Sequence, residues 1–346
     1  MEQNGEQIAH AIAGSLKIIE QDRERQIIEK RFGLNGSKET LEQIGETLSV
    51  TRERVRQLEK VILIRLRVAA KEGKISELAP AEKIIIRNLA EIGRVAKIST
   101  LADKIYGRSS TNSERAGLAF LGDISPALTI VSENDRYHGA IAIADVGDEK
   151  QIRAKVDEIV ALIKANKKPL SLSELDEKLS YEHPSQISAV ASVSKLLATL
   201  NDLWGLAKWP TVNPKNIRDK IYVILEAKKE PMHFNDIALA IADSNFKRKD
   251  VTTQAIHNEL IKDPRFVLIG RGIYALDSWG YKKGTVSDII TSILKSSDHP
   301  LSREEIVAEV LKSRKVKETT ILLNLQNKKL FKRIEKNSYT LNLDNN

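Results

Sequence analysis

Apolar positions along the chain recur mostly with helical spacing, and short alternating runs fall at the ends of such segments. In "TLEQIGETLSVTRERVRQLEK", residues 40–60, Leu41, Ile44 and Leu48 share one face of a predicted helix. Thr40, with Gln43 three residues on, is a capping-box pattern. Gly45 lies inside this helix, where glycine costs roughly 1 kcal/mol against alanine, so a packing constraint such as close approach of the next helix is expected there. Ser49 and Val50 make the turn, and Thr51 caps a second helix with Val55, Leu58, Ile62 and Leu66 on its inner face. The outer face of its first turns carries Arg52, Glu53, Arg56 and Gln57. Arginine pairs with guanine, glutamine with adenine, and glutamate accepts from cytosine. The start of the second helix of such a pair is the part that enters the major groove. A solvated face laced with ion pairs is the ordinary alternative, and the complete two-helix spacing weighs against it.

Further along, the pattern repeats. "NKKPLSLSELDEKL" from Asn166, "KKEPMHFNDIALAI" from Lys228 and "SDHPLSREEIVAEV" from Ser297 align on Pro169, Pro231 and Pro300, and "GRVAKISTLADKIY" from Gly93 is a copy without the proline. Ser171 with Glu174, and Ser302 with Glu305, repeat the capping-box logic. Each copy is followed by a third helix and a short β-like end: "RYHGAIAI", "LWGLAKW", "FVLIGRGIYAL" and "LFKRIEKNSYTL". The last two read as hairpins. Three helices and a hairpin describe a winged helix. The expected fold is therefore mainly α with short β-hairpins: an N-terminal helix–turn–helix over residues 1–75, then winged-helix units over 80–147, 150–212, 214–278 and 283–343.

Charge refines this picture. The 346 residues carry a net +8, distributed as +2 over residues 1–75, −1 over 76–209 and +7 over 210–346. A basic last third suits a polyanion, although lysine-rich surfaces also serve solubility. The absence of cysteine removes disulfides and thiolate metal sites. No apolar run is long enough to span a bilayer, and the N-terminus lacks the signature of a signal peptide. The six histidines are scattered, with no pair at metal-ligand spacing on one helix. His233 reads as a packed or capping residue. Gly270-Arg271-Gly272 lacks the remaining glycines and following helix of a phosphate loop and reads as a wing turn. "YEHPSQ" from Tyr181 reads as a loop around Pro184. Trp204, Trp209 and Trp279 sit at unit ends, where core packing is the commoner use and base stacking the alternative. No catalytic constellation stands out, so no enzyme, cofactor, metal or small-molecule substrate is expected.

Residues 23–67, including "RFGL", "TLEQIGETL" and "VTRERVRQLE", resemble region four of housekeeping-type bacterial sigma factors. The resemblance implies reading of a minus-35 promoter element through Arg52, Glu53, Arg56 and Gln57, with Thr51 and Lys60 bordering the DNA-binding set. It also implies docking on the polymerase flap near Arg31, Phe32 and Leu34. Only 22 residues precede Arg23, so a complete sigma factor with strand-opening regions is not expected. Residues 215–277, ending in "RFVLIGRGIYAL", resemble the HARE-type helix–turn–helix domain, which implies a nucleic-acid or polymerase role without a single activity. In that unit Lys247, Arg248 and Lys249 precede the third helix, and Arg265 and Arg271 flank the strands, as candidate phosphate contacts. Arg314, Lys315, Lys317, Lys328, Lys329, Lys332 and Arg333 make a similar case in the last unit. The expected function is a cytoplasmic, nucleoid-associated DNA-binding transcription regulator with double-stranded DNA as partner and RNA polymerase as a second. The rival is a non-enzymatic polymerase- or chromosome-associated scaffold whose winged helices bind proteins.

Overall fold

The computed structural model describes residues 2–179, 181, 184–246, 248, 250–334 and 337–342. Four helices open the chain: α1 (Glu2–Lys17), α2 (Asp22–Phe32), α3 (Leu41–Leu48) and α4 (Arg52–Lys71). One order of elements, helix–strand–helix–helix–strand–strand, then occurs four times. The first copy is α5 (Leu78–Glu91), β1 (Val95–Lys97), α6 (Ile98–Tyr106), α7 (Asn112–Ile124), β2 (Leu128–Val131) and β3 (Ala140–Ile143). The second is α8 (Glu149–Asn166), β4 (Leu170–Ser171), α9 (Leu172–Asp176), α10 (Pro184–Val193), β5 (Leu197–Leu200) and β6 (Leu203–Leu206). The third is α11 (Ile217–Lys228), β7 (Met232–His233), α12 (Phe234–Asp243), α13 (Thr253–Lys262), β8 (Phe266–Gly270) and β9 (Ile273–Leu276). The fourth is α14 (Val286–Ser296), β10 (Leu301–Ser302), α15 (Arg303–Ser313), α16 (Glu318–Leu325), β11 (Phe331–Arg333) and β12 (Ser338–Leu341).

Each copy closes a three-stranded antiparallel sheet in which the last strand lies between the other two. The aligned prolines explain the short first strands. Pro169, Pro231 and Pro300 each precede a two-residue strand whose second residue also caps the next helix. Ser171 and Ser302 complete capping boxes with Glu174 and Glu305. His233 uses its ring instead, its Nδ1 accepting from the Asn235 N–H at 3.2 Å. A residue that ends a strand and caps a helix leaves no room for a loop, so strand and helix follow directly.

Two local readings are corrected. Pro184 does not sit in a loop: it is the first residue of α10, where its missing N–H is one of the helix's unbonded donors anyway; Glu182 and His183 lie outside the described residues. The second copy ends in a full hairpin, made possible by Asn201 and Asp202, both with positive φ (49° and 61°). That backbone is the two-residue turn that follows the twist of paired strands.

The chain divides into two compact units, Met1–Lys208 and Trp209–Asn346. In the first, the opening helices and the first repeat share one core. Ile28, Leu34, Ile62 and Leu66 cluster with Leu89, Leu101, Ile105 and Phe120, all buried. A smaller cluster of Ile27, Ile44 and Val55 joins α2, α3 and α4. In the second unit, Ile289, Ile306, Val310, Ile321 and Phe331 form the core of the fourth repeat.

Candidate nucleic-acid interface

The α3–α4 pair is held at both ends by its own side chains. The Thr40 hydroxyl accepts from the Gln43 N–H at 3.3 Å, and the Gln43 side chain accepts from the Thr40 N–H at 2.8 Å. Ser49 adopts the left-handed conformation (φ 53°) and turns the chain. Thr51 caps α4 by accepting from the Arg54 N–H at 3.2 Å. Gly45 has the expected packing reason: a Cβ there would lie 2.6 Å from the Val50 carbonyl oxygen. The turn backbone thus passes over α3 where only a hydrogen fits.

With Val55 buried beneath, the first turns of α4 expose Arg52, Glu53, Arg56, Gln57 and Lys60, with Thr51 at the border. Arg54 is exposed on the same turns and belongs with them. Its position three residues before Gln57 was the available signal. Glu53 organises this face. Arg56 donates to both of its carboxylate oxygens, at 2.8 and 2.6 Å, and Gln57 donates at 3.3 Å. The Arg56 hydrogen bond holds the Glu53 carboxyl down at about 2, opposed by partial desolvation. Glu53 in turn raises the Arg56 guanidinium. The side chains of Arg52, Arg54 and Lys60 make no hydrogen bond or ion pair among the described residues, which leaves them open to phosphate. Other cations of the module are used internally: Arg31 pairs with Glu59 at 3.1 Å, Lys30 with Glu39 at 2.8 Å and Arg65 with Glu24 at 2.9 Å.

The segment carrying Arg31, Phe32 and Leu34 faces the chain's own core. Phe32 packs edge-on against Phe120 with ring centroids 5.3 Å apart. Leu34 is buried, and its carbonyl accepts from the Ser113 hydroxyl. The physical reason is that α7 of the first repeat supplies the apolar cover these side chains require.

In the third repeat the candidate contacts separate. Arg271 is exposed at the wing tip, beside Gly272 with φ 71°. Arg248 is exposed, and Lys247 and Lys249 lie outside the described residues. Arg265 is not a free phosphate contact. Its guanidinium reaches Asp219 at 3.2 Å and Asp263 at 2.8 Å and stacks over Tyr222 at 5.4 Å. Two carboxylates that would otherwise be buried without a partner explain this placement. Arg314 in the fourth repeat is likewise buried; it donates to the Leu268 carbonyl, while the Lys315 N–H donates to Ile269 at 2.9 Å. Lys315, Lys317, Lys328, Lys329, Lys332 and Arg333 are exposed. Trp204 is buried, and Trp279 packs against Val267, Ile269 and Ala275. Among the described residues no group of three His, Asp or Glu side chains is placed to hold a metal ion, and no helix is long and apolar enough to cross a membrane.

Residues 21–68 match the family model of Sigma-70, region 4, so this segment is a helix–turn–helix of the sigma region-four class. Over 52 residues the chain is 46% identical to the RNA polymerase sigma factor SigA4 of Synechococcus elongatus (strain ATCC 33912 / PCC 7942 / FACHB-805). That match covers 15% of this chain and 17% of the sigma factor.

Proposed function

We propose that this protein is a DNA-binding transcription regulator whose α3–α4 element reads a minus-35-like promoter sequence and works at bacterial RNA polymerase. The observation that carries this reading is the exposed set Arg52, Glu53, Arg54, Arg56 and Gln57 on the first turns of α4, inside the region-four match. In DNA the Glu53–Arg56 pair opens. Arg56 and Gln57 turn to base edges, and Arg52, Arg54 and Lys60 neutralise phosphates. The four repeats act as tethered winged-helix modules, the third HARE-like, with Arg271 and Arg248 adding salt-sensitive affinity. Joining modest sites on one chain raises their effective concentration.

Binding of the full chain to promoter fragments and to random DNA, measured across salt concentrations, tests this. A preference for promoter DNA that is lost in Arg56→Ala/Gln57→Ala is the expected result, and equal affinity for both DNAs sinks the reading. A scaffold role for the repeats is the second reading, favoured by apolar side chains on two third helices: Ile261 on α13 and Leu323 on α16 are each 66% exposed. Phosphate does not cover such side chains, whereas a protein surface does. Recovery of RNA polymerase with the protein from its source cell, lost in Ile261→Asp or Leu323→Asp, separates the two.

A further inference from the structure

The third repeat's sheet has the order β7-β9-β8, so β8 is an edge strand. An edge offers unpaired backbone groups to any neighbouring chain. Here the neighbour is the fourth repeat. The ladder to β9 passes from Leu268, opposite Tyr274, to Gly270, opposite Ile273, and leaves Ile269 bulged without a partner. The Lys315 N–H donates to the Ile269 carbonyl at 2.9 Å, and the Arg314 guanidinium donates to the Leu268 carbonyl. Gly270 makes this approach possible, because a Cβ there would lie 2.5 Å from the Lys315 carbonyl oxygen. Arg314 and Lys315 belong to the connection between α15 and α16, the turn of the fourth repeat's helix pair. The wing of the third repeat is therefore docked on that turn rather than free to move by itself.

Cations collect at this junction. Arg271 follows Gly270 directly, and Lys315 and Lys317 lie on the α15–α16 connection. All three are exposed, and their side chains make no hydrogen bond or ion pair among the described residues. Next to them Arg314 is only 7% exposed, and its Nε and Nη2 are sealed from solvent with no partner. Burial holds this guanidinium below its usual range, against the opposing field of Asp288. The carboxylates at hand are committed. Asp288 accepts from the Thr285 N–H at 2.7 Å and hydroxyl at 2.8 Å, and Glu318 pairs with Arg303 at 3.5 Å. A buried charge is screened less than an exposed one, so Arg314 adds to the pull that the three exposed cations exert on an anion.

We propose that the wing of the third repeat and the helix turn of the fourth form one composite surface for the phosphate backbone of double-stranded DNA, with Arg271, Lys315 and Lys317 as its contacts. This inference rests on the DNA-binding reading above and sharpens it: two of the four repeats act as one body. A flexible linker leaves each module to find the backbone separately. A docked pair presents its cations together, which raises affinity through effective concentration. Local sequence pattern gave no hint of the junction, since Leu268 and Arg314 are 46 residues apart.

The test titrates the full chain with salt against a random-sequence duplex. Lys315→Ala/Lys317→Ala reduces the salt slope by about 1.8, two phosphates' worth. Gly270→Ala retains every charge and disturbs the docking, its added Cβ having the Lys315 carbonyl and the end of Ile273, at 3.4 Å, as nearest neighbours. This variant speeds hydrogen exchange at the Lys315 amide and weakens duplex binding about tenfold, a modest share of what joining two sites supplies. Faster exchange with unchanged affinity overturns the proposal, because the two repeats then bind independently. Unchanged exchange overturns it too, since the docking contact is then not the one described. A slope unaltered in Lys315→Ala/Lys317→Ala has the same effect, and loss of RNA polymerase recovery in that variant assigns the surface to an acidic protein face instead. A parent chain that binds no duplex at all sinks the DNA reading itself, which is a distinguishable failure.

Discussion

Glu53 and Arg56 restrain each other in the free chain, and that pairing holds the exposed face of the first turns of α4. Because the Glu53 carboxyl is held at about 2 by Arg56, its folded value lies below its ordinary 4.5. A depressed carboxylate contributes its pairing above the ordinary value and loses it as pH falls through the depressed one. Carboxyl NMR is therefore expected to show Glu53 titrating near 2, and Arg56→Ala should return it to the usual carboxylate range; an ordinary value in the parent chain would contradict the pairing. Arg265 and Arg271 provide a second contrast. Arg265→Ala leaves Asp219 and Asp263 unpaired and should lower stability by about 1–3 kcal/mol without changing the salt slope of DNA binding. Arg271→Ala should do the reverse, leaving stability alone and reducing the slope by about 0.9, one phosphate's worth. Denaturant melts and salt titrations of both variants decide this.

At the scale of the element, the turn between α3 and α4 depends on one missing side chain. Alanine for glycine inside a helix ordinarily stabilises by about 0.5–1 kcal/mol. At Gly45 the added Cβ meets the Val50 carbonyl at 2.6 Å, and backbone cannot yield as a flexible side-chain end does. Gly45→Ala is thus expected to destabilise the first unit by about 1–3 kcal/mol, the usual cost of overpacking, as read by thermal melting. Helix starts were legible throughout because caps are local: Thr40, Thr51, Ser171 and Ser302 each cap within three residues. The wing of the second repeat was less legible, since its Asn201-Asp202 turn lacks the glycine that marks the third. Pro184 was misread because proline is equally at home before a helix and at its first position.

For the molecule as a whole, the N-terminal helix–turn–helix is not a free-standing bead. Ile28, Leu34, Ile62 and Leu66 share their core with Leu101 and Phe120 of the first repeat, and Arg67 reaches Asp123. A fragment of residues 1–75 would expose those side chains, so it should melt without cooperativity, whereas residues 1–208 should melt as one transition; a sharp, matching transition for residues 1–75 would refute the shared core. Phe120→Ala, although outside the helix–turn–helix, should cost that unit about 3–5 kcal/mol.

What the sequence by itself determined is whatever repeats within a few residues: the helix faces, the caps, the wing glycines, the fourfold pattern, marked in three copies by Pro169, Pro231 and Pro300, and the exposed polar face of α4. Tertiary structure alone decided which cations remain available. Arg31 meets Glu59, Arg265 meets Asp219 and Arg67 meets Asp123, pairs separated by 28, 46 and 56 residues. It also turned Phe32 and Leu34 inward, against Phe120 and Ser113 of the first repeat. Helical periodicity reports only neighbours one turn away, so it shows that a side chain leaves its own helix but not whether another element is waiting there.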